Sequence, residues 1–399
     1  MVPVMAAALL LVSLFGAQAE SPTETKDGRG RVTEAVWQDG NGNPAAGPEG
    51  YAQVRYTYEN TQDGPTTIEM YFNADGTPYR MPGGYYGKSV ALGLKNQPTL
   101  VEYLDEKGEL TMTEMGYARV YHSYRSFGAE YKCVFLGTKR GEVVIVPSLG
   151  YAQIETEYTG TIMTGRYFRD TKGKAIDSNA GYSSMIRKLN RSRTQVLQTY
   201  YLHANGKPAT GPDGWYKCAA ETDANGRITA VKYLDENEKL TDAGGFARET
   251  YAYDRDGDVT VSRYDAQGNR LSFGGEAVSV LRLMDGELIL SETYLNEAGG
   301  PVALPEGYAK ADYTYSEEGA LTMTQYRTAT GEKTTCSQGY SAVSQEWDAE
   351  GRLTRRVYLD EEGNGVNNRD GVSEERYEYD GEGMLRAVRR YDAGGTQIQ

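Results

Sequence analysis

The sequence predicts an all-β chain: an elongated array of about eleven hairpin repeats of ~32 residues, stacked as a β-sheet spiral or solenoid. Three marks in one register carry this. An aromatic followed by a short turn recurs at Trp37, Tyr71, Tyr103, Phe135, Tyr167, Tyr201, Tyr233, Tyr264, Tyr294, Tyr326, Tyr358 and Tyr391. Gly followed usually by an aromatic recurs between them, as at Gly50-Tyr51, Gly116-Tyr117, Gly150-Tyr151, Gly307-Tyr308 and Gly339-Tyr340. An aromatic before an acidic turn is the third mark, at Tyr253, Tyr315, Trp347 and Tyr379.

The elements follow in chain order. Ala6 to Phe15 is a charge-free apolar run ahead of an Ala17-Gln18-Ala19 cleavage pattern, so residues 1–19 read as a signal peptide cleaved near Ala19. The run is shorter than the ~20 residues of a membrane span, and no other apolar stretch approaches that length. Residues 20–36 read as a linker and the start of the first strand, and residues 37–399 as one continuous array. Within each repeat, Asp, Asn or Glu followed by Gly separates alternating runs, which is hairpin chemistry. In Tyr51–Tyr58, for example, Ala52, Val54, Tyr56 and Tyr58 share one face. Helical periodicity is absent after residue 19. Glu142–Val146 (EVVIV) is a continuous apolar run, expected to be buried on both faces. A single unit cannot bury its apolar face, but stacked units can.

The chain has 42 Lys and Arg against 56 Asp and Glu, a net charge of −14, which argues against a nucleic-acid partner. Tyr accounts for 33 residues against 7 Phe and 3 Trp. Arg187, Lys188, Arg191 and Arg193 form a basic turn, expected to be a solvated loop or a contact for an acidic polymer.

The stretches YDRDGDVTVSRYDAQGNRLS (Tyr253 to Ser272), WDAEGRLT (Trp347 to Thr354) and YDGEGML (Tyr379 to Leu385) resemble the tyrosine-aspartate repeats of Rhs and teneurin proteins. The resemblance implies hairpins that build a large β-sheet shell. The Gly-Tyr-Ala mark and the ~32-residue period depart from the usual unit of that family, and neither a core-terminating motif nor a downstream toxin is evident.

His122 and His203 fall at different repeat phases, as do Cys133, Cys218 and Cys336, so the spacing predicts neither a catalytic histidine nor a zinc site. Three buried thiols are the simplest reading, with one disulfide as the alternative. Asp254, Asp256 and Asp258 space oxygens as calcium loops do, against the alternative of a plain turn. Nearly every other carboxylate recurs at a turn, so no glycosidase pair stands out and no enzyme is expected. The tyrosine excess points either to a core with wet hydroxyl ends or to a binding surface. Tyr51, Tyr117, Tyr151, Tyr308 and Tyr340, which follow a turn, are expected to be the more exposed series and the binding candidates. The expectation is an exported, non-enzymatic binding or scaffold module, secreted or at the cell surface. Its partner would be a cell-wall or other extracellular glycan, or a protein. The rivals are a purely structural spacer and a glycan-active enzyme with its site between repeats.

Overall fold

The computed structural model describes residues 22–380 and 383–398; the expected signal peptide lies outside them. Among the described residues there are strands, turns and isolated bridges but no helix, as the sequence predicts. Contacts divide the chain into two units. One holds the described residues up to Arg187 with Tyr201–Ala209, and the other holds Lys188–Tyr200 and the residues from Thr210 onward.

In the first unit, strands pair antiparallel with their sequence neighbours, from Thr23–Lys26 against Val32–Val36 through to Gly165, Arg166 and Tyr167 against Ile186, Met185 and Ser184. The Thr23–Lys26 strand stands inside the stretch expected to be a linker. The second unit repeats the pattern, from Gln198, Thr199 and Tyr200 against Ala219, Cys218 and Lys217 to Glu374–Tyr379 against Leu385–Tyr391. Many hairpins carry a one-residue irregularity near the turn, as between Ser123 and Tyr124 and between Glu378 and Tyr379. Such a bulge shifts the partner strand's facing residues by one at that point.

The Gly-Tyr-Ala mark has a structural cause in both units. Ala118 is wholly buried. Its amide donates to Leu136 O at 2.8 Å, and its carbonyl accepts from Tyr103 N at 2.9 Å. Ala309 does the same between Arg327 O and Tyr294 N. The residue at this place thus stitches the end of one hairpin to the next; it is a wholly buried Ala at Ala118 and Ala309, while Tyr86, Tyr216 and Val278 make the same amide bond in other copies. Gly150 at φ +81° supplies the turn before it, and a Cβ there would stand 2.8 Å from Asn179 N.

After many of the long strands the chain bends, at an Asx turn in several copies, and returns as a short piece bridged to the strand end, as Leu104 is to Leu110. Asp105 shows the turn: its Oδ1 accepts from Lys107 N at 2.8 Å and Glu109 N at 2.9 Å. The run Glu142–Val146 is one of these short pieces. It is not buried on both faces, because Val146 turns inward while Ile145 is exposed.

Candidate functional site

The turn-following and strand-ending aromatic series interleave, as one ladder in the first unit and as two runs in the second. In the first unit the rings run Trp37, Tyr51, Tyr71, Tyr85, Tyr103, Tyr117, Phe135, Tyr151, Phe168, Tyr182 and Tyr201, with successive centroids 4.4–6.4 Å apart. In the second, Trp215, Tyr233 and Phe246 form one run, and Tyr294, Tyr308, Tyr326, Tyr340 and Tyr358 another. Such edge and tilted contacts are favourable beyond the area they bury.

Three strand-end marks shift by one residue. Phe168, not Tyr167, enters the ladder. Arg263 rather than Tyr264 occupies the corresponding position, judged by the amide of Ala247 bonding to Tyr264 O. Its guanidinium lies over Phe246 and Phe273 at 4.8 and 4.7 Å and spans the gap left where Gly275 is followed by Glu276 instead of an aromatic. Arg390 likewise precedes Tyr391, and it pairs with Glu375.

The ladder corrects the expected exposure of the turn-following tyrosines. Tyr51, Tyr117 and Tyr151 are buried at 8–9% exposure, and Tyr308 and Tyr340 are half-buried between ladder neighbours. Burial pushes the phenol pKa of all five upward. These rings are core, because each repeat must cover its neighbour's apolar face.

The acidic loop at Asp254 is an Asx turn. Asp254 Oδ1 accepts from the amides of Asp256, Gly257 and Asp258 at 2.9–3.0 Å, and Asp258 Oδ1 accepts from Met284 N at 2.9 Å. Turn and inter-repeat bonding therefore occupy oxygens of Asp254 and Asp258, while Asp256 enters through its amide. Arg191 and Arg193 are exposed in their turn, and Lys188 lies over the Tyr200 ring at 5.4 Å. All three cysteines are free thiols; Cys133 and Cys336 are buried and Cys218 is half-buried.

The wet aromatic surface lies elsewhere, in the first unit. A cavity of about 380 Å³ is lined by Tyr121, Tyr124, Tyr131, Gln97, Lys95 and Arg125 among others. Tyr121 is 42% exposed. Two adjacent hairpin turns shape the cavity: the Lys95 ammonium donates to Ser126 O, and Gln97 Nε2 donates to Gly128 O at 2.8 Å. Arg125 lies 4.6 Å over the Tyr131 ring, and the His122 ring stacks on Tyr124 at 6.3 Å. The sequence does carry a signal for this place. Gly93 and Arg125 open turns that Asp223, Asp254, Asp348 and Asp380 open elsewhere, and Asn96 takes the positive φ that Gly takes in most copies. The rim is locally basic on an acidic chain.

Beside the cavity, His122 Nδ1 meets Glu130 Oε1, and Cys133 is the direct cross-strand partner of His122. Burial, with the Glu130 carboxylate adding to it, pushes the Cys133 thiol up to about 12. His203 is set differently, with its Nδ1 2.9 Å from Asp177 Oδ2 across neighbouring repeats.

No family model matches the chain, and no curated protein matches it. Among solved structures it is similar to the Tc holotoxin pore of Photorhabdus luminescens, at 12% identity and a TM-score of 0.28 over 94% of this chain and 22% of that one. It is also similar to TcdB2–TccC3, at 11% identity and a TM-score of 0.22 over 95% of this chain and 26% of that one. A further likeness is to alternansucrase in complex with isomaltononaose, at 17% identity and a TM-score of 0.14 over 61% of this chain and 18% of that one. The chain thus spans roughly a quarter or less of those chains. The repeat fold rests on the strand pairings described above, not on these likenesses.

Proposed function

We propose that this chain is an exported, non-enzymatic repeat scaffold that presents a recognition site for an extracellular or cell-wall glycan. The observation that carries the reading is the cavity at Tyr121, Tyr124 and Tyr131. It offers ring surface reached by solvent, rimmed by Gln97, Lys95 and Arg125 as hydrogen-bond donors. Aromatic faces with polar edges suit the apolar face and hydroxyl rim of a sugar ring. The Ala6–Phe15 run and the Ala17-Gln18-Ala19 pattern support export. Aspartates that open turns, such as Asp105, Asp223 and Asp348, cap their own turns, which supports recognition over catalysis as the role of the array.

The test is binding to a glycan array and to purified cell walls, with Tyr121→Ala and Gln97→Ala compared with the unaltered chain. A weakening of at least about tenfold in Tyr121→Ala, with unfolding unchanged, is the expected result. Absence of any glycan or wall binding by the unaltered chain would leave the spacer reading in its place.

A further inference from the structure

We propose that His122, Glu130 and Cys133 form a binding site for a divalent cation of the zinc class, an ion that takes mixed nitrogen, oxygen and sulfur donors. Two features of one hairpin bring these residues together. His122 and Cys133 face each other across the hairpin of Arg119–Tyr124 and Glu130–Leu136. Directly opposed side chains on one face lie within about 5.5 Å at Cβ. Glu130 joins them through the bulge between Ser123 and Tyr124. Regular alternation from Cys133 would put Tyr131 opposite Tyr124, but the slip puts Glu130 there instead. One donor atom from each residue then lies within 4.8 Å of both others.

That spacing needs only a small contraction to hold an ion. Donors 2.0–2.3 Å from a tetrahedral centre stand about 3.3–3.8 Å from one another. The donor set selects the ion class: a thiolate and an imidazole with one carboxylate suit zinc, whereas calcium takes oxygens. Charge also fits, since a thiolate and a carboxylate together neutralise a divalent cation where Cys133 is buried. Solvent reaches the site along the cavity that His122 lines, so a water can supply a fourth ligand. His203 forms no such group: its contact is Asp177, with no cysteine in the cluster, and the His122 group stands alone in this respect among the described residues.

The inference is independent of the glycan reading, and its readout is spectroscopic. The reduced full chain is titrated with Co²⁺, a zinc surrogate whose thiolate complexes show a near-ultraviolet charge-transfer band. The expected result is such a band at one equivalent, displaced by Zn²⁺ and indifferent to Ca²⁺. It should persist when Cys218→Ser and Cys336→Ser are combined, and vanish in Cys133→Ser. His122→Gln, at a partly exposed position, should weaken Co²⁺ binding by at least about a hundredfold. Circular dichroism checks that each variant is folded. A folded unaltered chain without the band overturns the site, as does a band that survives Cys133→Ser or is unaffected by His122→Gln.

Discussion

Tyr379 donates its hydroxyl hydrogen to the backbone carbonyl of Leu353, 2.9 Å away and one repeat earlier in the chain. The relationship recurs: Tyr58 donates to Val32 O, Tyr315 to Ile289 O, and the indole of Trp347 to Leu321 O, at 2.7–2.9 Å. At Tyr315, Trp347 and Tyr379 the third sequence mark is therefore an inter-repeat strap, a role that needs the N–H or O–H donor that Phe lacks. An arginine of the earlier turn covers the ring at this place in three copies, the straps Tyr58 and Tyr379 under Arg31 and Arg352, and Tyr253 under Arg227. Each of those arginines is paired to the aspartate that opens its own turn. Tyr379→Phe, which deletes only the donor, should lower stability by about 1 kcal/mol in urea unfolding. No change would mean that the hydroxyl is equally well served by water.

Ala309 sits in the stitch between Arg327 and Tyr294, with no exposed surface. Ala309→Leu should destabilise by about 1–3 kcal/mol through overpacking. Ala309→Ser should cost less, since Ser341 and Ser373 hold the equivalent place and their carbonyls accept from Tyr326 N and Tyr358 N. Equal loss in both variants would count against a steric origin.

Stability should fall at both ends of the pH scale. Arg355, followed by Arg376, holds the Glu374 carboxyl at about 2, below its ordinary 4.5. Its contribution is therefore present above pH 4.5 and is lost as pH falls toward 2; Glu374→Gln should flatten that acid limb. Tyr71, Tyr103 and Tyr326 are pushed above their ordinary 10 by burial. The folded ladder stays neutral while the unfolded chain ionises, so stability declines as pH rises past 10. Tyrosinate absorbance should rise together with loss of β circular dichroism. Ladder tyrosines ionising in a still-folded chain would contradict the burial.

Tyr358 takes the same place against Ser373 as Tyr326 takes against Ser341, each donating its amide to the serine carbonyl at 2.9 Å. Deleting residues 326–357 should thus keep the register and leave a folded chain. Deleting 326–341 removes the strand Leu321–Arg327 from its partner Ala342–Trp347 and should abolish folding. Comparable circular dichroism for both deletions would argue against a repeat array.

Period and alternation made the hairpins legible in the sequence, because turn glycines and half-buried strands both leave a local signature. What they could not place was the outcome of packing. Tyr51 follows a turn, as an exposed residue would, yet it is buried because its ring is clamped between Trp37 and Tyr71. Phe168 and Arg263 displaced Tyr167 and Tyr264 because ladder position depends on which strand-end residue turns inward, and both neighbours were plausible rings or caps. The group at His122 was hidden for a different reason: Cys133 is eleven residues away and Glu130 reaches it only through a bulge. The cavity did have a trace, in two consecutive turns that lack the usual opening aspartate, at Gly93 and Arg125.

The central claim is a division between two kinds of tyrosine, with the ladder as core and the Tyr121 cavity as recognition surface. Urea unfolding of Tyr151→Ala and Tyr121→Ala, measured side by side, tests it most directly. Tyr151, stacked 4.4 Å from Phe168, should cost about 3–5 kcal/mol on truncation. Tyr121, at 42% exposure, should stay within about 0.5 kcal/mol of the unaltered chain. Equal costs, or a larger one at Tyr121, would contradict the division.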